Sequence, residues 1–432
     1  MSPGTSWGRY PQAQNQRVIA LRDRHAPLPA FEGTALPYGN GRSYGDSCLN
    51  DGGTLLATRG LDRYIGFDPA TGVLRCEAGV LLSDILDFAV AQGWFLPVTP
   101  GTKFVTVGGA IANDVHGKNH HVAGCFSEYV DGFELLRSDG TRRWCSPSEN
   151  ADWFAATAGG LGLTGVVTWA QIRLKRIRGA WMNIETHRFA NLREFLALSA
   201  ASERDYEYTV AWIDCVARGD ALGRGHFIRA NHAPAGDGPA RPKRRLSVPF
   251  TPPFSLINGA SLRAFNAAYY HRQRTPVAHA LTHYEPYFYP LDAIGHWNRI
   301  YGPKGFLQYQ CVVPPEGAEH ALTDLIEQIA DSGTGSFLAV LKMFGPGRSA
   351  GILSFPRPGA TLALDFPNRG AATFELLERL DDVVAAAGGA VYPAKDARMR
   401  GERFRQYYPA WESLRPYLDP AFSSGFWRRV TE

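Results

Sequence analysis

Several polar side chains in this sequence stand where polar groups need a reason. In the strand-like run Phe306-Leu-Gln-Tyr-Gln-Cys-Val-Val313, alternation puts Gln308 and Gln310 on one face. Two amides on one face of an otherwise apolar strand need partners. Those partners are either water at a sheet edge or the hydroxyls of a polyhydroxylated ligand. The same alternation over 336–344 sets Lys342 with Leu338, Val340 and Phe344. A lysine in such company either reaches out to solvent or serves an anion in a cavity. Lys395, in Val-Tyr-Pro-Ala-Lys-Asp396, lies just past a strand end, where functional groups gather. It is a surface lysine or a site lysine, and Asp396 beside it can hold its charge.

His116, Lys118, His120 and His121 cluster at the end of the stretch 100–121. On a helix, positions 116 and 120 would share a face, as zinc ligands do. Gly117 follows His116 directly, however, and no acidic or cysteine partner sits at ligand spacing. No metal is expected, and one histidine is expected to line a site while the others make structural hydrogen bonds. The same stretch is expected to turn at Pro100-Gly101, form a short strand over Val105, Thr106 and Val107, and break at Gly108-Gly109.

Three glycine loops (39–45, 101–117 and 159–165), each flanked by strand-like segments, must position these groups. Gly160-x-Gly162-x-x-Gly165 has the spacing of a dinucleotide fingerprint, but it precedes a strand rather than opening a helix. A nucleotide P-loop fails too, because Ala112 stands where a glycine is required. Free backbone N–H groups in such loops can cradle a pyrophosphate. Ordinary tight turns are the alternative for any one loop; three together favour a shared anionic cofactor.

The remaining pattern gives strands at 54–58, 63–67 and 73–78, a helix from Leu81 to Gln92, and a hairpin over 129–145 turning at Ser138-Asp-Gly140. Ser146-Pro-Ser-Glu149 has the form of a capping box opening a helix. A long strand is expected from Val166 to Ile177. Beyond a boundary near 180 come a helix from Asn191, a strand at 207–216, a long loop over 231–255, and a helix near 261–273. Strands at 306–313, 336–344, 352–355, 361–366 and 390–394 then alternate with helices at 319–331 and 373–387. The class is α+β.

A chain of 432 residues that is 45% hydrophobic and carries a net charge of +4 is long enough for two domains and gives no argument for nucleic-acid binding. Six scattered cysteines without a CxxC point to a reducing compartment. Neither a signal peptide nor an apolar run of membrane-spanning length is expected.

Taken together, the segments resemble the flavin-dependent oxidases of the vanillyl-alcohol-oxidase superfamily, and within it the decaprenylphosphoryl-β-D-ribose 2′-oxidases. The motifs carrying the resemblance are Gly41-Arg-Ser-Tyr-Gly-Asp46, Pro100-Gly-Thr with Val105-Thr-Val-Gly-Gly-Ala-Ile-Ala112 and Asp114 to His121, and Leu163-Thr-Gly165. Further on come Pro290-Leu-Asp with Trp297-Asn-Arg299, Phe306 to Gln310, Asp365-Phe-Pro367 and Tyr392-Pro-Ala-Lys-Asp396.

The resemblance implies a two-domain FAD-binding fold with an antiparallel-sheet substrate domain. Residues 1–180 would form the FAD domain, with 390–432 folding back onto it, and 181–389 the substrate domain. FAD contacts are implied for Gly41, Arg42, Ser43, Tyr44, Gly45, Asp46, Gly101, Thr106, Val107, Gly108, Gly109, Asn113, Asp114, His116, Val167 and Tyr392. Attachment should be non-covalent, since the first loop lacks the histidine that binds flavin covalently in many relatives. Catalysis is implied for Lys395, supported by Tyr44 and His116, and substrate binding for Lys118, Gln308, Gln310 and Lys342. The implied reaction is oxidation of the 2′-hydroxyl of a polyprenylphosphoryl ribose, the first half of an epimerisation to arabinose in cell-wall arabinan synthesis. A short-chain reductase would complete it.

Such an enzyme would be cytoplasmic, with at most peripheral contact to the inner membrane. The 231–255 loop, basic in its middle and apolar at its end, is a candidate lid. The chain departs from the mycobacterial pattern at Ala360, Thr361 and Ala363, and again at Ser424-Gly425. A soluble aldonolactone or alditol oxidase, or a flavoprotein that only passes electrons, are the alternative functions.

Overall fold

The computed structural model describes residues 4–234 and 246–432. Two antiparallel sheets dominate it. The smaller has five strands, in the order Tyr64–Asp68, Val73–Glu77, Val166–Arg173, Val130–Leu136, Arg142–Cys145. A short parallel sheet of Arg17–Ala20, Thr54–Ala57 and Ala35–Tyr38 accompanies it. The larger sheet has eight strands, in the order Val277–His283, Trp181–Phe189, Gly225–His232, Tyr208–Ile213, Ala339–Phe344, Gly359–Pro367, Phe306–Val313, Ala390–Val391.

Strand alternation decides which side of the larger sheet is core and which is site. From Phe306–Val313, the side chains of Leu307, Tyr309, Cys311 and Val313 enter the core. Leu362, Leu364 and Phe366 do so from Gly359–Pro367, and Ala339 and Leu341 from Ala339–Phe344. They meet the helix Ala318–Asp331, whose Leu322, Leu325, Ile326 and Ile329 form one apolar stripe, and the helix Ala371–Ala386 through Leu376, Leu377, Leu380 and Val384. The intervening residues (Gln308, Gln310, Val340, Lys342, Thr361, Ala363, Asp365) necessarily face the other way and line a cavity. A one-residue slip would send these polar groups into the core, so the apolar face fixes their register.

The structure departs from the sequence expectations in several places. The strand expected over 105–107 is instead a helix start: Thr106 caps the helix Val107–Ala112, its Oγ1 accepting from the Gly109 N–H at 3.0 Å. A threonine cap followed by small residues outweighed a brief β-branched run. At Ser146-Pro-Ser-Glu149, Ser146 Oγ does accept from the Glu149 N–H, but Asn150 has φ of 52° and the helix begins only at Ala151.

The strand from Val166 stops at Arg173, and Lys175–Arg176 pairs separately with Trp94–Phe95. No strand forms over 352–355. Trp181–Phe189 and Val277–His283 are strands that the sequence did not signal. Within the expected 231–255 loop, the preceding strand runs to His232, and Leu246–Ser247 pairs with Ile294–Gly295. The centre of that loop, 235–245, lies outside the described residues.

The tail starts in the larger sheet, where Ala390 and Val391 pair with Val312 and Cys311. It ends beside the parallel sheet, where Ala35 bridges to Phe422. It contains two helices, Gly401–Tyr407 and Gly425–Thr431.

Candidate active site

Three glycine loops of the N-terminal half and one face of the eight-stranded sheet enclose a cavity of about 380 Å³. Gly41, Arg42, Ser43 and Tyr44 line it from the first loop; Gly101, Thr106, Gly108, Gly109, Asn113, His116 and Lys118 from the second stretch; and Gly162, Gly165 and Val167 from the third. Gln308, Gln310, Lys342, Tyr392 and Lys395 line it from the larger sheet and the loop after it. Residues far apart in the chain thus converge on one space.

Gly45, Asp46, Val107 and Asp114, which the resemblance assigned to the cofactor, do not line the cavity. Val107 is fully buried in the core of the smaller sheet. Asp114 is fully buried and accepts hydrogen bonds from the Ser127 N–H and the Ser354 hydroxyl. Asp46 is paired with Arg429. Gly45 is pressed against the backbone of Asp396.

The ammonium of Lys395 lies 4.0 Å from the centroid of the Tyr44 ring and makes no hydrogen bond to a described residue. Burial lowers its pKa from 10.5, and Asp365 pulls it back up. Asp365 is itself pushed up by burial, against the pull of Gln308, Lys395 and Tyr301. Asp396, which could have held the charge of Lys395 or faced solvent, is engaged by Arg429 and by the backbone N–H groups of Arg398 and Met399. The facing carboxylate is Asp365, a residue not among those expected at the site. The alternation that exposed Gln308 also marks Asp365, which pairs with Gln308 in register and accepts from its amide at 2.7 Å. Asp292 and Trp7 also line the cavity and were not singled out.

Gln310 donates to His116 Nε2 at 2.9 Å and to Thr361 Oγ1 at 3.3 Å. Burial, with Lys342 adding to it, holds the His116 pKa well below 6.5, so this ring is neutral with its proton on Nδ1. His116 Nδ1 and Gln308 Oε1 are buried with no partner among the described residues. His120 and His121 make structural contacts: His120 Nδ1 accepts from the Gly345 N–H, and His121 Nε2 lies 2.9 Å from the Tyr206 carbonyl oxygen. Lys342 donates to the Gly117 carbonyl at 3.0 Å, and Lys118 to the carbonyls of Tyr287 and Phe288.

Burial lowers Lys118 and Lys342 from 10.5 to about 7; Lys342 adds to the effect on Lys118, and Lys395 to that on Lys342. Between pH 7 and 10.5 the unfolded chain holds protons that the folded one has lost, so these groups make the ligand-free fold more stable as pH rises through that window. Lys342→Met should therefore raise the melting temperature of ligand-free protein at pH 7 by roughly 2 °C or more and flatten its rise toward pH 10. Thermal melts across that range check this; an unchanged slope would contradict it.

The residues present fit FAD. Gly41 has φ of 62°, and the N–H groups of Gly41, Arg42 and Ser43 donate to no other described residue. That is a ready concavity for an anion. Arg42 lies 4.2 Å from the Trp7 ring centroid, and its Nε is buried without a partner. A Cβ at Gly101 would meet only open space, so the backbone there is accessible to a ligand.

Residues 29–146 match the family model described as FAD binding domain. The chain is 38% identical over 408 residues to decaprenylphosphoryl-beta-D-ribose oxidase of Mycolicibacterium smegmatis, covering 91% of this chain and 88% of that protein. It is 35% identical over 369 residues to an uncharacterized protein in the mprA 5′ region of Streptomyces coelicolor, covering 81% of this chain and all of that one. Over 107 residues it is 33% identical to the human Delta(24)-sterol reductase, covering 25% of this chain and 21% of the reductase. The chain therefore belongs to the FAD-linked oxidase family that includes decaprenylphosphoryl-beta-D-ribose oxidase, and it is an FAD-dependent oxidoreductase with a two-domain α+β fold.

Proposed function

We propose that this protein oxidises the 2′-hydroxyl of a polyprenylphosphoryl ribose to a ketone, holding FAD non-covalently. The observation that carries the chemistry is Lys395. Its amine stands over the Tyr44 ring without a hydrogen bond to a described residue, lines the same cavity as Gln308, and has its proton loosened by burial. The likeness to the mycobacterial oxidase supports the substrate.

When bound, FAD supplies the two-electron acceptor for the hydride that leaves the carbinol carbon. The remaining work falls to the chain. Neutral Lys395 takes the hydroxyl proton as that carbon is oxidised. Gln308 Oε1, buried and without a partner, accepts from a neighbouring sugar hydroxyl. His116 offers its Nδ1–H as a donor. Lys118 and Lys342, poised near neutral pH, stay protonated when a phosphate arrives beside them. Val210, Phe288, Leu291 and Trp297 keep water from the reacting atoms. Gly41, Arg42 and Ser43 would hold the pyrophosphate of FAD, and Gly101, Thr106, Gly108, Gly109, Asn113, Val167 and Tyr392, which line the same cavity, would border the rest of it.

The chain after residue 245 supports a lipid-linked substrate. Leu246, Phe250 and Phe254 are each more than 65% exposed, and Ile294, which pairs with Leu246, is two residues from the cavity-lining Asp292. These side chains would meet the prenyl tail and give peripheral contact with the inner face of the membrane, in the cytoplasm. No helix among the described residues is long and apolar enough to cross a membrane. Replacing Phe250 and Phe254 together by serine should raise KM for a long-chain substrate roughly tenfold and leave a short-chain one unchanged. A partner reductase would complete the epimerisation.

A panel of anaerobic substrates followed by flavin bleaching tests the function. Prenylphosphoryl ribose should bleach fastest. Faster bleaching by an aldonolactone or alditol would overturn the proposal, as would no bleaching by any alcohol. Acid precipitation should leave the yellow colour in the supernatant; colour in the pellet would refute non-covalent binding.

A further inference from the structure

Lys395 and Tyr44 come from opposite ends of the chain, and their mutual position has to be set by something. Part of it is backbone. The Tyr44 N–H donates to the Ala394 carbonyl at 2.9 Å, and a Cβ placed on Gly45 would lie 1.8 Å from the Asp396 carbonyl oxygen. The rest is one guanidinium. Arg429, on the C-terminal helix Gly425–Thr431, holds Asp46 bidentately, with Nη2 to Oδ1 at 2.6 Å and Nε to Oδ2 at 3.1 Å. The same Nη2 reaches Asp396 Oδ2 at 3.0 Å, and Nη1 donates to the Met399 carbonyl.

Asp46 lies two residues after Tyr44, and Asp396 is the residue after Lys395. Both carboxylates are buried, with side chains 9% and 2% exposed. The helix carrying Arg429 is itself docked on the first loop, where the Gly425 N–H donates to the Leu49 carbonyl at 2.8 Å. None of these three charged groups lines the cavity.

We propose that Arg429 is a positioning residue, a latch that clamps the Tyr44 loop to the Lys395 loop and thereby sets the amine over the ring. The inference rests on the reading of Lys395 as the proton acceptor. The latch uses what arginine alone provides: three donors in a rigid fork, aimed at two carboxylates and a carbonyl. Removing it leaves two buried carboxylates facing each other, and they separate by hydrating or by taking a proton. The Tyr44 loop then loosens, water reaches Lys395, and its pKa rises toward the ordinary lysine value.

The test is Arg429→Gln in the FAD-loaded enzyme, with anaerobic flavin bleaching by a short-chain prenylphosphoryl ribose measured against pH. The latch predicts that FAD stays bound, that the bleaching rate falls on the order of 10- to 100-fold at pH 7.5, and that the rising limb of the pH profile moves to higher pH. Lys395→Ala is measured alongside. If it bleaches at the wild-type rate, the reading of Lys395 fails whatever Arg429 does. If Lys395→Ala is inactive while Arg429→Gln keeps the wild-type limb and rate, the latch fails alone. A fall in melting temperature with no movement of the limb would also overturn it, since a merely structural contact would do that. Should Arg429→Gln not fold, Arg429→Lys carries the same measurement. It keeps the charge and loses the fork, and the same shift of the limb is expected.

Discussion

Lys395→Met is expected to leave the protein yellow and folded while slowing flavin bleaching by substrate on the order of 10²- to 10⁴-fold, the range a general base contributes. Methionine keeps the length and apolar stem of the side chain, so packing against the Tyr44 ring survives and only the proton acceptor is lost. Wild-type bleaching should accelerate with rising pH as the amine loses its proton. Its midpoint should lie below the ordinary lysine value, because burial disfavours the charged form. Asp365 opposes that shift, so Asp365→Asn should move the midpoint to lower pH. A rate in Lys395→Met within about threefold of wild type, with FAD bound, would end the assignment.

Gly45→Ala is the second large effect, and it acts on the fold. The first loop approaches the last one so closely at Gly45 that an added methyl would overlap the backbone oxygen of Asp396. Backbone is not free to swing aside as a flexible side chain is. The neighbouring bond from the Tyr44 N–H to the Ala394 carbonyl fixes the two strands of chain to each other. Such overpacking costs about 3 kcal/mol, the upper end of the usual range, because the clash is with backbone. The variant should melt well below wild type and lose FAD on dilution, both readable by thermal melts that follow flavin fluorescence. By contrast, Gly101→Ala adds a methyl to open space and should leave stability within about 0.5 kcal/mol of wild type while weakening FAD. If Gly45→Ala were as stable as wild type, the close approach of the two loops would be wrong.

The site was legible wherever one strand's alternation could be read by itself. Gln308, Gln310 and Lys342 announced themselves as polar groups on the wrong side of apolar strands, and the sheet places all three on the cavity. Asp365 obeys the same rule. It sits inside Asp-Phe-Pro, where the short motif hides the alternation of the strand. The glycine loops were legible because glycine marks close approach, although Gly45 turned out to make room for the chain itself.

What the sequence could not show were contacts between distant segments. The resemblance put Asp46 among the cofactor residues, yet its carboxylate is paired within the protein. Its partner Arg429 lies 383 residues further on. Adjacency left Asp396 either the partner of Lys395 or a solvated group, and the partner it has, Arg429, is again distant in the chain. Trp181–Phe189 went unread as a strand because its alternation is blurred: of its nine residues only Met182 and Phe189 are buried. Val277–His283, at the sheet edge, has no buried residue at all. Their pairing, not their composition, makes them strands.

In the proposed reaction, hydride leaves the C2′ carbon of a phosphoryl-linked ribose. Its most direct test is anaerobic mixing of the FAD-loaded enzyme with short-chain prenylphosphoryl ribose carrying deuterium at C2′, and separately at C3′. Bleaching should slow several-fold only with deuterium at C2′, and the product should be the 2′-ketone. Slowing with C3′ deuterium instead, or with neither, would contradict it.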